Sequence, residues 1–448
     1  MRRRPTIQKM ICQILVSVLI LTLSLNPAWA RGAVRDAEIE QLLRDYANPV
    51  FRAAGLSPKH IQVNLVAQDQ INAFVTHGQR MFIFTGLLLE ADHPSEIIGV
   101  LAHETGHIAK GHLADLERKI GQLAPLNIIG LLLGGAAVVA GGGQAGIGAA
   151  TAGQSIAKRT LLSYRRAQEA TADQAAIRYL NKAGFTPKGM VTLFEKLADQ
   201  ALVSLRNVDP YVLSHPMPQE RINLLTKKVQ QSPVYNKPLP ASFIKRHKMM
   251  QAKLWGFLRP IQSVFKRYPK KDKSDEALYA RSISYYRNAD LGSALSELNI
   301  LLGRYPKNPY LWELKGQILF ESGRIRQAAA PLKKAVALAP KQGLFRMLLA
   351  DALVAGENRP SANEAIKHLT YARRTEKHSS SLHRILSRAY GIKRDEGRAS
   401  LHSAYSAFYK GDVVTARQLA FRAKRTLKKN TPEWRQAVDL SEYKQRGK

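Results

Sequence analysis

The most regular pattern of apolar positions lies between residues 94 and 110. Ile97, Ile98, Leu101 and Ile108 recur at helical spacing behind a Pro94-Ser95 start and predict a helix. Upstream, residues 36–48 read as an amphipathic helix, and residues 61–67 alternate as a strand. Residues 71–76 and 80–85 form two further extended runs around a turn at His77-Gly78-Gln79, and Gly86 opens a helix through Leu89. The pattern predicts a small antiparallel sheet just ahead of the 94–110 helix. Downstream, residues 160–181 form a charged amphipathic helix closed by Gly184, and helix continues over 187–204. Pro216 and Pro218 fix a turn that presents His215 ahead of another short helix.

The pattern changes after residue 230. Residues 231–271 hold Pro233, Pro238, Pro240, Pro260 and Pro269 among many lysines, and are expected to be a linker or crossover. Beyond it the sequence repeats. Pro306 and Pro340 are 34 residues apart. Counted from Asp275 and from Pro309, matching positions hold Ser282 and Gly316, Tyr285 and Leu319, Ala294 and Ala328, and Leu298 and Leu332. That is the tetratricopeptide period, with small residues where paired helices touch. A looser copy runs through Ala350, Leu353, Ala365, Leu369 and Ala372, with about three residues inserted around Pro360. A last copy carries Ala404, Ala407, Ala416, Ala420 and Ala423. Such arrays offer a concave surface to protein partners; a generic helical bundle is the alternative.

Residues 120–157 contain no Asp, Glu, Lys or Arg. Their strongly apolar part, 126–140, is 15 residues long, short of the ~20 that a span needs. A helical hairpin that covers the active site and dips into a bilayer surface fits this composition; a buried helix and a true span are the alternatives. At the other extreme, Arg2, Arg3, Arg4 and Lys9 precede an apolar core at 14–25 and an Ala28-Trp29-Ala30 cleavage pattern. Residues 1–30 are therefore expected to be a secretory signal peptide, with an uncleaved anchor as the alternative. The sole cysteine, Cys12, lies inside that segment, so the mature chain needs no disulfide and has no thiolate ligand. Lys and Arg number 68 against 34 Asp and Glu, a formal net charge of +34 that falls to +30 without the segment's four basic residues. The charge is spread along the chain and no nucleic-acid motif accompanies it. The field suits peripheral contact with an anionic membrane surface rather than nucleic acid.

Candidate chemistry sits on the 94–110 helix. His103 and His107 are four residues apart, so both imidazoles project from one face, with Glu104 beside them. That HExxH arrangement suits two ligands on one Zn²⁺ and a general base. A catalytic zinc needs a third protein ligand and one open position. His112, five residues beyond His107, points away from the ligand face, and a histidine six beyond would fall on Leu113. Glu169 is the better choice, 62 residues past His107 on a helix that a long connection can return antiparallel. Asp173, one turn on, is placed to hydrogen-bond a ligand histidine. His215 is a candidate either to stabilise the oxyanion of a tetrahedral intermediate or to bind zinc and block the water site. The sheet edge carrying Asn72, Ala73 and Phe74 can take an extended peptide as an added strand, or pack as plain core.

Taken in order, Asn72-Ala73-Phe74, Thr85-Gly86-Leu87, His103-Glu104-Thr105-Gly106-His107, Glu169 with Ala172-Asp173, Ser214-His215-Pro216 and Arg221 resemble the HtpX-like metallopeptidase family, which includes the CAAX prenyl proteases. The leader and the repeat tail resemble its BepA-like periplasmic branch, and the resemblance covers nearly the whole mature chain. It implies a mainly α chain: a zincin-like metallopeptidase domain with a small antiparallel sheet over 31–230, then an α-solenoid of tetratricopeptide repeats over 272–448. It implies one Zn²⁺ per chain on His103, His107 and Glu169, catalysis by Glu104, and support from Asp173 and Arg221. It departs from the family pattern at Ser163-Tyr164-Arg165-Arg166, and at Thr171, where a second acid usually lies between Glu169 and Asp173.

The function this implies is a periplasmic zinc endopeptidase in outer-membrane protein quality control. It would degrade stalled or misfolded outer-membrane proteins and assist their assembly, with the repeats docked on the assembly machinery. A chaperone or scaffold acting through the repeats, with latent proteolysis, is the alternative. A weaker third reading is a protein associated with peptidoglycan or lipopolysaccharide through its basic surface. Glu104→Gln separates the first two: a peptidase loses function, a scaffold tolerates the change.

Overall fold

A computed structural model of the chain describes residues 33–120, 122, 143–203, 215 and 218–444. Among them, no helix is long and apolar enough to cross a membrane. The chain divides into two units: one takes in Leu43–Pro240 with the residues up to Arg35, the other Asp36–Leu42 with Ala241–Lys448.

The first unit is built on a four-stranded sheet of β1 (Ala33–Val34), β2 (Gln62–Val66), β3 (Ala73–Thr76) and β4 (Arg80–Phe84), in the order β1-β2-β4-β3. The expected hairpin is there: β3 pairs antiparallel with β4 from Ala73↔Ile83 to Thr76↔Arg80. The expectation of a wholly antiparallel sheet is corrected, because β2 pairs with β4 in parallel, from Gln62↔Arg80 to Val66↔Phe84. After β2 the chain runs out through β3 at the edge and returns as β4, so the strand that comes back beside β2 runs the same way. β1, two residues long, is too short to show alternation.

Helix α1 (Ala37–Ala53) runs five residues beyond the expected 36–48. Asp36 caps it by accepting from the Ile39 N–H at 2.9 Å. Pro49 lies inside the helix and removes one backbone donor, yet Val50 and Phe51 are fully buried and hold the final turn against the core. A short buried helix, α2 (Thr85–Glu90), follows the sheet. Helix α3 (Pro94–Lys110) is buried continuously from Pro94 to Gly106. It packs against α4 (Gly143–Ala183) and α5 (Lys188–Val203), while α6 (Gln219–Gln230) closes the unit. Backbones meet without side chains between them. A Cβ on Gly106 would lie 2.9 Å from the Ala172 carbonyl oxygen of α4, and one on Gly189 of α5 only 2.2 Å from the Ser95 carbonyl carbon. The buried Glu96 of α3 adds an ion pair to Lys196 of α5 at 3.2 Å.

The apolar stretch proposed as a hairpin falls in part outside the described residues, at 123–142. Residues 143–157 belong to α4, the helix that also carries Glu169. The expected turn around His215 likewise lies outside them, apart from His215 and Pro218 themselves.

The second unit is helical throughout its described length. Residues 231–271 are not the expected linker: α7 (Ala241–Leu258) and α8 (Ile261–Arg267) lie within them, and α7 packs on α9 (Asp275–Arg287). The prolines that suggested a linker precede helices instead of breaking them, Pro240 before α7 and Pro260 before α8. The unit's C-terminal segment thus starts at 241, not 272. Helical pairs follow: α9 with α10 (Leu291–Arg304), α11 (Pro309–Glu321) with α12 (Ile325–Leu338), α13 (Gly343–Ala355) with α14 (Arg359–Ala372), α15 (Ser380–Ile392) with α16 (Glu396–Tyr409), and α17 (Val413–Thr426) with α18 (Pro432–Ser441).

The 34-residue period holds from Asp275 through Pro309 to Gly343, and also from Ile325 to Arg359. The inserted residues therefore lie at 373–379, before α15, and not around Pro360, which starts α14 behind an Asn358 cap. The small positions work as their spacing demands. Ser282 Oγ donates to the Ala294 carbonyl at 2.8 Å, and Ser387 Oγ repeats the bond to Ala399 at 2.9 Å. At the matching Gly316, a Cβ would sit 2.4 Å from Leu332. Arg281 is fully buried, and is held by Glu297 at 2.8 Å and by the carbonyls of Pro269 and Asp272, each at 2.8 Å.

Candidate metal centre

Helix α3 delivers His103, Glu104 and His107, and α4 delivers Glu169 and Asp173. Because α3 and α4 touch backbone to backbone at Gly106 and Ala172, the Glu169 carboxylate reaches both imidazoles. His103 Nε2 lies 3.1 Å from His107 Nε2 and 3.2 Å from Glu169 Oε2, and His107 Nε2 lies 3.5 Å from Glu169 Oε1. His215 completes the group: its Nδ1 is 3.3 Å from His103 Nε2 and 3.0 Å from Glu169 Oε2. One ligand atom from each of the four residues falls within 4.8 Å of all the others.

These separations test the fit of a metal. Ligand arms of 2.0–2.1 Å in a tetrahedron put its corners about 3.3 Å apart. The separations among His103, His107 and Glu169, 3.1–3.5 Å, and those from His215 to His103 and Glu169, 3.0–3.3 Å, lie near that value, and all four groups fall within 4.8 Å of one another. The donor set, three imidazoles and a carboxylate, is the nitrogen and oxygen set that zinc takes. A further sign is Glu104, 1 % exposed, whose two oxygens have no hydrogen-bond partner among the described residues. Its Oε1 is 3.5 Å from His215 Nε2. A buried carboxylate without partners beside a ring of ligands is placed to meet a water or substrate group.

The electrostatics follow from burial and pairing. Burial pushes the Glu104 carboxyl above its ordinary value, which suits a proton acceptor. Burial would raise Glu169 too, but hydrogen bonds from His103 and His215 outweigh it and hold the carboxyl far below the usual range. Burial alone would lower His103; its bonds to Asp173 and Glu169 reverse that and push it up to about 10. A metal ion competes with that proton for Nε2. His107 has no comparable compensation, and burial holds it well below its ordinary value. Asp173 is lowered to about 2: burial opposes the shift, and Arg221 and His103 overcome it.

Around the ligands, His103 Nδ1 bonds Asp173 Oδ1 at 2.9 Å. Arg221 of α6 grips Asp173 with two bonds, 2.7 and 2.9 Å, and also reaches Glu169 Oε2 at 3.1 Å. The Phe194 ring of α5 supports both groups, with the Arg221 guanidinium 5.3 Å from its centroid and the His103 ring edge-on at 6.0 Å. Phe194 carried no signal in the sequence beyond an apolar helical position.

Residues 33–229 match the family described as Peptidase family M48, and residues 279–343 match the tetratricopeptide repeat. Residues 33–229 form an M48 metallopeptidase domain, and tetratricopeptide repeats follow it. Apart from Asp36–Leu42, the match falls within the unit that holds the four-residue cluster. Over 346 residues the chain is 25 % identical to the beta-barrel assembly-enhancing protease of Yersinia pestis, covering 76 % of this chain and 70 % of that protein. It is 26 % identical to the protein of the same name from Escherichia coli (strain K12), covering 68 % of this chain and 63 % of the relative, less than two thirds of its length. Metalloprotease LoiP of the same strain is 29 % identical over 37 % of this chain and 62 % of its own.

Within the M48 domain, the residues expected from sequence fall into two groups. His103, His107, Glu169 and His215 form the four-residue cluster, and Glu104, Asp173 and Arg221 gather around it. Asn72, Ala73 and Phe74 belong to the sheet: β3 is its outermost strand and lies against α3. Ala73 is fully buried, and Phe74 stacks on Phe82 with centroids 5.1 Å apart. Asn72 is buried, and its side-chain oxygen has no hydrogen-bond partner among the described residues. His112, set aside as a ligand, does not join the four; its Nδ1 lies instead 3.0 Å from His107 Nδ1, on the side of that ring away from the cluster.

Proposed function

We propose that this M48 peptidase is a zinc endopeptidase of the bacterial cell envelope that cleaves misassembled β-barrel outer-membrane proteins. The observation that carries the peptidase chemistry is the cluster of His103, His107, Glu169 and His215, with the buried Glu104 carboxylate beside it, whose oxygens accept no hydrogen bond among the described residues. His103, His107 and Glu169 would hold the zinc. When bound, the metal supplies a Lewis acid that lowers the pKa of water and polarises a carbonyl. Glu104 takes a proton from the attacking water and returns it to the leaving amine. Asp173, fixed by Arg221, orients His103 and keeps its Nε2 toward the centre. An extended peptide adds to β3, the outermost strand among the described residues, and the side-chain oxygen of Asn72 just before it accepts one of the peptide's N–H groups.

His215 has two roles open to it, an oxyanion donor or a fourth ligand. Its Nδ1, 3.0 Å from Glu169 Oε2 and 3.3 Å from His103 Nε2, supports the fourth-ligand role in the conformation described. We infer that His215 holds the resting enzyme closed and leaves when substrate enters. The choice of β-barrel substrates, the periplasmic site of action, a role in assembly and docking through the repeats rest on the named relatives and on the basic surface. Residues 241–448 hold 42 Lys and Arg against 17 Asp and Glu, which favours anionic surroundings.

The test uses the chain without residues 1–30, its metal content measured, incubated with casein. The expected result is about one zinc per chain, cleavage by the wild type, none by Glu104→Gln, and faster cleavage by His215→Ala. Absence of bound zinc, or cleavage by Glu104→Gln equal to wild type, would refute the proposal.

A further inference from the structure

Each ligand histidine must keep a lone pair on Nε2, so its proton has to be held on Nδ1. For His103 the holder is Asp173. For His107 it is a second imidazole, with Nδ1 of His107 and Nδ1 of His112 3.0 Å apart. Two neutral imidazoles can bond through these atoms only if one carries its proton there and the other does not. The next link decides which. Thr171 Oγ1 donates to the Gln168 carbonyl at 2.9 Å and lies 3.1 Å from His112 Nε2. With its own proton committed, the hydroxyl accepts from a His112 Nε2–H. His112 therefore presents a bare Nδ1, which accepts the Nδ1–H of His107. Gln168 donates its amide to the His112 carbonyl at 3.0 Å and fixes the backbone there. The His107 Nε2 is left bare, facing His103, Glu169 and His215.

We propose that His112 and Thr171 are positioning residues for the metal centre: a Thr171–His112–His107 relay of neutral groups fixes the tautomer in which His107 Nε2 is free to bind metal. This rests on the reading of the cluster as a zinc site. The relay gives the two ligand histidines unequal support. Asp173 offers His103 a full negative charge, which raises ligand basicity. His112 offers His107 only a neutral acceptor. In the resembling family an acid usually stands where this chain has Thr171, and here a hydroxyl does the orienting without adding charge. His107 is thus the weaker-held ligand of the pair.

Two measurements on the mature chain test this: long-range ¹⁵N imidazole spectra of the metal-free protein, and zinc affinity by competition with a chromophoric chelator. The variants are His112→Leu, Thr171→Val and Thr171→Ser. Thr171 is exposed, so its substitutions leave the fold intact, and the serine variant keeps the hydroxyl. In wild type and Thr171→Ser, His107 should appear as the Nδ1–H tautomer. In His112→Leu and Thr171→Val it should be a mixture. Zinc affinity should fall roughly 10–100-fold in His112→Leu, several-fold in Thr171→Val, and stay within about twofold in Thr171→Ser. An unchanged His107 tautomer and unchanged affinity in both His112→Leu and Thr171→Val overturn the relay. A wild type that binds no zinc overturns the metal-site reading instead, and the tautomer spectra then judge the relay by themselves.

Discussion

Gly106→Ala tests whether the close approach of α3 and α4 sets the metal geometry. The new Cβ would stand 2.9 Å from the Ala172 carbonyl oxygen and 3.0 Å from Ala172 Cα. Carbon contacts relax only near 3.5–4.0 Å, so the helices must part by roughly half an ångström. Overpacking of this kind costs about 1–3 kcal/mol, and the better helix propensity of alanine returns up to about 1 kcal/mol. The net loss of stability should be about 1–2 kcal/mol. Metal affinity carries the sharper signal. Glu169 is three residues from Ala172 on the same helix, so backing α4 away carries its carboxylate off His103 and His107, now 3.2 and 3.5 Å distant. A half-ångström error in one ligand should weaken zinc by at least tenfold, as loss of ligand support typically does. The assay is zinc competition beside denaturant unfolding of metal-free and zinc-loaded protein. A Gly106→Ala variant that is more stable than wild type and binds zinc equally well would sink the argument.

Three further outcomes are expected. Asp173→Asn removes the charge that His103 Nδ1 and Arg221 share, and zinc affinity should drop roughly 10–100-fold by chelator competition, while the metal-free protein also unfolds more readily because buried Arg221 loses a charged partner. Chelation should loosen the peptidase unit selectively: ligand at a hundred times its Kd contributes about 2.7 kcal/mol, so hydrogen exchange along α3 and α4 should speed up while α9–α16 keep their protection. The third is a pH effect in the repeats, where His383 and His402 are buried with their Nδ1 atoms 3.0 Å apart. Burial lowers His383 to about 4 and His402 to about 3. The unfolded chain protonates both near 6.5, so stability is full above that pH and is lost as pH falls toward 4, by up to about 3 kcal/mol for the first of them. Apart from Trp29, the tryptophans are Trp255, Trp312 and Trp434, all in the second unit, so fluorescence of the chain without residues 1–30 reports its denaturation midpoint. Burial raises the Glu313 carboxyl of α11 to about 7, which opposes this trend as pH falls from 7, so the histidines are read by difference: a midpoint that changes equally from pH 7 to pH 5 in wild type and in His402→Leu would contradict this reading.

Local, periodic features of the fold were legible, and features set by distant partners were not. The helix at 94–110 and the 34-residue repeat announce themselves because each is a period that the sequence must keep to bury one face. The β2–β4 pairing has no such mark. An alternating strand looks the same in a parallel or an antiparallel ladder, and only the return of the chain past β3 decides. Residues 241–267 depart from the expected linker for a different reason. Proline both ends helices and begins them, and Pro240 and Pro260 mark beginnings here. The same ambiguity moved the three-residue insertion to Pro360, when it lies in 373–379.

His112 shows where helical spacing stops being a guide to a site. The ligand spacing at 103 and 107 is a property of one helix, and it carried through to the structure. Extending that phase to residue 112 points the side chain away from the ligands, which rightly removes it from the coordination set. The phase, however, ends at Gly111, whose φ of 68° turns the chain out of α3. That turn brings His112 back to the outer nitrogen of His107, where α4 meets it with Thr171. Neither residue belongs to a motif, and each has meaning only through the other and the ligand between them. His103 and His107 can be found from spacing along one helix; the groups that orient them depend on position in space, and those are found only once the helices are packed.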